Sequence, residues 1–104
     1  MKRIKRRYIA LQLECEALPT GHEVTDAIWS AVTKLYGEVG ASLSGLTLIN
    51  FDMEHKEVVI RVSLASLGTV RASLATITNI GSRTSAVHVL AVSGTLKALH
   101  ATVS

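Results

Sequence analysis

Four histidines and eight carboxylates are the side chains of this 104-residue sequence best suited to acid–base or metal chemistry. The histidines are His22, His55, His88 and His100. No two of them are three or four residues apart, which is the spacing that places two ligands on one helix face. Asp52 and Glu54 match ordinary turn composition, and the single cysteine, Cys15, allows no disulfide within the chain. The sequence therefore predicts no catalytic residues and no metal site.

The stretch "AVSGTLKAL", residues 91–99, is a second candidate for chemistry. An apolar run, a Ser93–Gly94 turn and a helix starting near Thr95 would leave backbone N–H groups free to bind a phosphate. Ser93 lacks the G-x-S-x-G context of an exposed nucleophile. Gly94 suits a turn with positive φ or close packing, and Thr95 suits a helix cap. We therefore expect a structural corner here, with phosphate contact as the less favoured alternative.

Charge is distributed unevenly along the chain, whose formal net charge is +3. Residues 8–60 contain all eight acids and two lysines, whereas residues 61–104 contain four basic residues and no acid. The N-terminal seven residues carry Lys2, Arg3, Lys5, Arg6 and Arg7. Such basic segments favour a polyanionic partner, above all nucleic acid, against the alternative of a solvated tail. Within the basic second half, the candidate phosphate-binding residues are Arg71, Arg83 and Lys97.

Hydrophobic periodicity predicts an α+β domain of the ferredoxin-like, RRM-like type over residues 8–104, preceded by a basic arm over residues 1–7. Residues 8–15 alternate as a half-buried strand. Thr20 with Glu23 forms a capping box for a helix that Gly37 and Gly40 end. The remaining elements are strands over 46–52, 57–64 and 85–93 and helices over 65–80 and 95–102. This βαββαβ order with a C-terminal helix predicts a four-stranded antiparallel sheet with helices on one face.

Several functions share this fold, so the residues must decide among them. RNA-recognition sheets stack bases on aromatic residues of the two central strands, but Tyr8 is the only aromatic residue in those two segments. RNA contact would therefore use phosphates. Acylphosphatase chemistry needs an arginine in the first loop, where "EALPTGHE" has carboxylates instead. Trp29 and Tyr36, seven residues apart on the first helix, are expected in the core or at a protein interface, and the mean hydropathy of +0.36 favours a partner surface.

Six segments in order resemble the archaeal ribonuclease P protein component 2 family, which is of the Pop5/Rpp14 type. They are "RRYIAL", "DAIWSAV" with "LYGEVG", "LTLINFD", "VVIRV", "VRASLATI" and "LAVSGTLKAL". The resemblance implies a non-catalytic subunit of ribonuclease P, the RNA-based endonuclease that removes the 5′ leader of precursor tRNA. It also implies that the RNA subunit holds the magnesium ions and that the protein binds no cofactor. The implied partners are ribonuclease P RNA, precursor tRNA and the component 3 protein, with self-association in a two-plus-two assembly.

Two further expectations concern alternatives and location. A small-ligand-binding regulatory domain has the same fold and is the main rival, although "EALPTGHE" is a poor ligand loop because it carries a single glycine. The sequence contains no apolar run of roughly 20 residues, so we expect no membrane association and a cytoplasmic location.

Overall fold

The computed structural model describes residues 5–16, 19–52, 54–81 and 83–103. Lys2 and Arg3 of the predicted arm lie outside the described residues. The strands are β1 (Arg6–Cys15), β2 (Thr47–Asp52), β3 (Glu57–Ser63), β4 (Asn79–Ile80) and β5 (Arg83–Ser93). The helices are α1 (Gly21–Leu43), α2 (Leu67–Leu74) and α3 (Leu96–Val103). This order confirms the predicted α+β, ferredoxin-like plan.

The strands form one antiparallel sheet in the order β2-β3-β1-β5-β4. The predicted β2–β3 hairpin is present, and β1 lies in the centre between β3 and β5. The prediction of four strands is wrong, because β4 adds a fifth at the edge. Asn79 pairs with Thr84, and Gly81 makes the tight turn between them at φ +64°. A positive φ is accessible to glycine at little cost, so this position permits the extra hairpin.

The main core lies between one sheet face and helices α1 and α2. Ile9, Leu11 and Leu13 of β1 alternate towards this face and are buried. The other members of the buried cluster are Val24, Ile28, Val32, Ala41, Val58, Ile60, Val62, Val70, Leu74, Ile77 and Ile80. The predicted inward face of β1 is therefore confirmed, and burying these aliphatic side chains is the main stabilising contribution of the fold.

The opposite sheet face is not open, contrary to the expectation that all helices lie on one side. A second cluster joins Ala10 and Val59, which alternate away from the main core, to Leu99 of α3. Leu99 is fully buried, and Ala10 is 3% exposed. Helix α3 therefore covers the sheet surface that RNA-recognition domains use for base stacking. The small Ala10 side chain in the central strand permits this close approach.

Helix α1 begins with the predicted capping box and extends beyond its predicted end. The Thr20 side chain accepts a hydrogen bond from Glu23 N at 3.1 Å, and the Glu23 carboxylate accepts one from Thr20 N at 3.0 Å. Gly37 interrupts the helical geometry at φ 77°, ψ 173°, but helical backbone resumes to Leu43. Gly37 thus produces a kink rather than an end, because the hydrophobic Ala41 beyond it is fully buried.

The second helix is shorter than the predicted span of 65–80. A 3₁₀ turn occupies Leu64–Ser66, and α2 ends at Leu74. Ile77 keeps the three-residue spacing from Leu74 and is buried in the core, but its backbone is no longer helical. Thr76 and Thr78 favour extended backbone over helix, so the chain turns into β4. No helix in the described ranges combines the length and apolar character needed to cross a lipid bilayer.

Candidate nucleic-acid interface

Four of the eight carboxylates contact partners within the described part of the chain. Three contact histidines: Glu14 with His88 at 2.9 Å, Asp26 with His22 at 3.1 Å, and Asp52 with His55 at 2.8 Å. A fourth, Glu23, completes the capping box of α1. These acids are therefore used in local structure rather than in neutralising lysine and arginine.

The basic side chains behave differently. Among residues 5–16, 19–52, 54–81 and 83–103, no lysine or arginine nitrogen lies within 4.0 Å of a carboxylate oxygen. Two of these side chains donate to carbonyl oxygens within the chain, Arg7 to Arg6 O at 2.9 Å and Lys56 to Cys15 O at 2.9 Å. The cationic groups are therefore available to an external anion such as nucleic acid.

The predicted phosphate-binding residues occupy three separate places. Lys5, Arg6 and Arg7 lie together where β1 begins, and Arg6 and Arg7 belong to the strand, so the described chain is already in the sheet before residue 8. Arg83 begins β5 at the other end of the sheet, beside the end of β1. Arg71 is exposed in the last turn of α2. These groups do not form a single patch.

The start of β1 is brought close to the start of α3. A Cβ placed on Gly94 would lie 3.6 Å from Nη1 of Arg7, so the guanidinium rests against this backbone. Thr95 Oγ1 accepts a hydrogen bond from Ala98 N at 3.1 Å, as a helix N-cap does. Lys97 is exposed in the same first turn. The predicted structural corner at 91–99 therefore stands next to the basic strand start, which is the arrangement that could receive a phosphate.

Gly94 itself differs from expectation. Its φ is not positive, whereas Gly37, Gly45 and Gly81 adopt positive φ values. A Cβ at this position would lie at an ordinary van der Waals distance from the Arg7 guanidinium, so close packing does not require glycine there either. Neither of the two explanations that the sequence offers accounts for Gly94.

Sequence reasoning passed over Arg61 as a site residue. Arg61 lies in β3 directly across from Tyr8 of β1 and Thr47 of β2, on the strand face opposite to Ile60 and Val62. Its Nε is buried and has no hydrogen-bond partner among the described residues. The pattern "VVIRVS" indicates the position of Arg61. Side chains alternate between the two faces of a strand, so an arginine between the apolar Ile60 and Val62 faces the opposite side of the sheet.

The two aromatic residues of α1 are at the surface. Trp29 is 41% exposed and Tyr36 is 45% exposed, so neither is a core residue. Val39 and Leu43, further along the same helix, are 74% and 70% exposed. Exposed apolar side chains concentrated on one helix are typical of a surface that meets another protein.

The β2–β3 turn gathers three groups that sequence reasoning treated as ordinary turn residues. One ligand atom from each of Asp52, Glu54 and His55 lies within 4.8 Å of the others. Asp52 accepts hydrogen bonds from the backbone N–H groups of Glu54 and His55 at 3.0 and 3.2 Å. The His55 hydrogen bond lowers the pKa of Asp52, and the Asp52 hydrogen bond raises the pKa of His55. These contacts indicate a hydrogen-bonded turn.

Fold and site together define a small ferredoxin-like domain whose described lysines and arginines are unpaired with acids. The family model described as "Rpp14/Pop5 family" matches residues 7–103. The chain therefore belongs to the Rpp14/Pop5 family.

Individual relatives agree with this assignment. The chain is 33% identical to ribonuclease P protein component 2 of Methanosarcina mazei over 91% of this chain and 80% of that protein. It is 34% identical to the protein of the same name from Pyrococcus furiosus, over 93% and 81% of the two chains. A chain of the cryo-EM structure of yeast ribonuclease MRP superposes with a TM-score of 0.72 at 19% identity, covering 92% of this chain and 79% of that one. This structural likeness confirms the fold.

Proposed function

We propose that this protein is a subunit of ribonuclease P that binds the RNA subunit through phosphate contacts. The observation that carries the proposal is the combination of family membership with basic side chains that pair with no carboxylate in the described structure. The relatives from Methanosarcina mazei and Pyrococcus furiosus are named as protein component 2 of that enzyme. The rival function, a small-ligand regulatory domain, gains no support from any of these comparisons.

In this proposal the protein acts by charge screening. A folded RNA packs phosphates closely, and these phosphates repel one another and an anionic precursor tRNA. Basic groups at Lys5, Arg6 and Arg7, with Lys2 and Arg3 preceding them, would reduce this repulsion by neutralising phosphates. The RNA subunit and its magnesium ions would perform the cleavage, and the protein would supply neither a cofactor nor a catalytic residue.

A protein partner would use a different surface. The exposed apolar side chains of α1 include Trp29, Tyr36, Val39 and Leu43. Burying such side chains is favourable by roughly 25 cal/mol per Å² of apolar area. We propose that the component 3 protein, or a second copy of the chain within a two-plus-two assembly, covers this surface in the cytoplasm.

Reconstitution of the enzyme tests the proposal. The RNA subunit and the other proteins are mixed with precursor tRNA, with and without this chain, and release of the 5′ leader is followed in time. We expect omission of the chain to lower the cleavage rate at moderate magnesium concentration. High magnesium should restore part of that rate, because free cations also screen phosphates. An equal rate with and without the chain at every magnesium concentration would contradict the proposed function.

A further inference from the structure

Strand β5 leaves one side of its backbone unpaired over most of its length. It pairs with β1 from Ser85 to Ser93, whereas on its other side β4 pairs only with Arg83 and Thr84. Among the described residues, no other strand pairs with this side of β5. We call the backbone of residues 86–93, on the side away from β1, the free edge of β5.

Two valines direct their backbone groups towards the free edge. The N–H and C=O groups of successive residues in an antiparallel strand point to alternate sides. Ser85 N donates to Thr78 O at 2.8 Å, on the side of β4. Val87 and Val89 therefore point their N–H and C=O groups to the same side, where the described structure shows no hydrogen bond to them. The free edge thus offers donors and acceptors in the spacing that an incoming strand requires.

The sequence of the free edge lacks most of the features that prevent strand pairing. Natural edge strands are often short, or carry lysine, proline or inward-pointing charges. Residues 86–93 read "AVHVLAVS" and contain no proline, lysine, arginine, aspartate or glutamate. A bulge at Leu90 interrupts the ladder with β1 but leaves residues 86–89 regular. By comparison, β2 at the opposite edge of the sheet is six residues long and ends at Asp52, so the free edge of β5 is the better site for pairing.

Burial along β5 also indicates a missing neighbour. The side chains of Val87 and Val89 pack against the main core cluster but are only partly buried, and Leu90 is 44% exposed. Leu13 and Leu11, which lie opposite the two valines on the central strand β1, are almost completely buried. A further strand beside β5 would cover these apolar side chains, which is favourable.

The backbone of the free edge favours an extended protein segment as its occupant. Val87 and Val89 each present an acceptor as well as a donor to this side. RNA phosphates accept hydrogen bonds but cannot donate them, so a second polypeptide backbone matches the edge better than a nucleic acid does. Strand addition of this kind is a common mode of peptide recognition, in which main-chain hydrogen bonds supply the affinity.

Charge at the two ends of the free edge selects among protein segments. Arg83 begins β5 and Lys97 lies shortly after its end; both are exposed, and neither forms an ion pair in the described structure. Residues 61–104 contain no acid. An antiparallel second copy of β5 would bring Arg83 of one copy near the Lys97 end of the other, and like charges repel. A segment with acidic residues at both ends is favoured instead.

We propose that the free edge of β5 binds an extended segment of a protein partner as an additional strand. This segment carries uncharged residues of high β-propensity in its centre and acidic residues at both ends. The interaction goes beyond the proposed function, because it requires no RNA and lies on a different element from the exposed apolar residues of α1. Its failure would leave the proposed function unaffected.

Amide hydrogen exchange of the full chain, followed by NMR, tests the free edge. In the dilute chain alone, the N–H groups of Val87 and Val89 should exchange rapidly, whereas those of Ala86 and His88, which point towards β1, should be protected. The probe is a peptide of about ten residues, with acidic ends and alternating valine and threonine between them. On its addition we expect saturable protection of the Val87 and Val89 amides.

Two N-methylated versions of the peptide separate strand pairing from general attraction. Methyl groups on alternate backbone nitrogens block one side of the peptide strand and leave its other side free. One version should lose at least about tenfold in affinity, and the version methylated on the other set of nitrogens should bind like the parent peptide. Equal binding of both versions, or equal loss with both, would overturn the proposed strand pairing.

Variants of the chain test the chemistry of the partner. Arg83→Gln combined with Lys97→Gln should weaken binding of the acidic-ended peptide about fivefold, the effect of two exposed ion pairs. Lys34→Gln, on α1, is the control and should leave the affinity unchanged. Arg83→Glu combined with Lys97→Glu should reverse the preference, towards a peptide with lysines at its ends. Circular dichroism and thermal melting verify that each variant is folded.

Three further outcomes would contradict the proposal. Protection of the Val87 and Val89 amides in the dilute chain without peptide would show that the edge is already covered. Protection that rises with the concentration of the chain alone would assign the edge to a second copy. Protection by a single-stranded RNA, with none by the peptide, would assign it to nucleic acid.

Discussion

Acidic and basic side chains of this chain differ in the contacts that they make. The acids lie in residues 8–60, and most of the basic residues lie at the start of β1 and in residues 61–103. Four carboxylates contact a histidine or a backbone N–H inside the chain, as Asp52 and Glu23 illustrate. No described lysine or arginine contacts a carboxylate. These four acids therefore contribute to contacts within the chain, whereas the described cations make no ion pair. Basic side chains that have no acidic partner agree with the proposed contact to an external anion.

Neutralising the basic strand start should have the largest effect on RNA binding. The triple variant Lys5→Gln, Arg6→Gln, Arg7→Gln removes three cations that make no ion pair in the described structure. We expect RNA affinity at low salt to fall by at least about tenfold, while the melting temperature changes little. Substitution is preferable to deletion of residues 1–7, because Arg6 and Arg7 already pair with β3.

A matched acidic variant sharpens the comparison. The triple variant Glu16→Gln, Glu38→Gln, Glu57→Gln removes three carboxylates. The described structure shows no hydrogen bond or ion pair for any of them. This variant should bind RNA as well as the parent or more tightly, because repulsion from phosphates is reduced. Equal losses of affinity in the two triple variants would show that the comparison of acids with cations is mistaken.

The N-caps of α1 and α3 should differ in how much they contribute to the free energy of unfolding. Thr20→Ala removes one half of a capping box that includes Glu23, and we expect it to cost about 1 kcal/mol of unfolding free energy. Such a loss lowers the melting temperature by about 4 °C in a domain of this size.

Thr95→Ala removes a cap that has no acidic partner in the first turn of α3, so it should cost less than Thr20→Ala. Thermal denaturation of both variants gives the ranking. A larger loss at Thr95 would show that α3 contributes more to stability than its length suggests. RNA affinity should be unchanged by Thr20→Ala, which provides the control.

The smallest expected effect is the pH dependence of the β2–β3 turn. The raised pKa of His55 means that its contribution is present below pH 6.5 and is lost as pH rises through the raised value. The lowered pKa of Asp52 means that its contribution is present above pH 3.8 and is lost as pH falls through the lowered value. The turn is therefore most stable between these limits. In Asp52→Asn, an NMR titration should show the His55 pKa returning towards 6.5, and an unchanged value would contradict the Asp52 contact.

Local features of the fold could be predicted because their determinants are adjacent in sequence. The Thr20–Glu23 capping box, the alternation of β1 and the β2–β3 hairpin depend on residues a few positions apart. The end of α2 is not predictable from spacing, because Ile77 fits helical spacing and still enters the core from non-helical backbone. Spacing alone does not distinguish these two ways of burying one side chain.

Features that depend on distant contacts could not be predicted in the same way. Helix α3 covers the second sheet face because Leu99 packs against Ala10 and Val59. These two residues are far from Leu99 in the sequence. The contact of the Arg7 guanidinium with the backbone at Gly94 requires the start of β1 and the start of α3 to be assembled. The basic arm was identified from composition, but its last residues are part of β1, because strand pairing with Ser63 and Val62 begins there.

The salt dependence of RNA binding tests the central claim most directly, namely that unpaired basic residues bind RNA phosphates. Each neutralised phosphate contributes about 0.7–0.9 to the slope of log affinity against log salt. For the Lys5, Arg6, Arg7 triple variant, we predict a slope smaller in magnitude than that of the parent by about 2 to 3. The Glu16, Glu38, Glu57 variant should keep the parental slope. An identical slope in the parent and the basic triple variant would contradict the account.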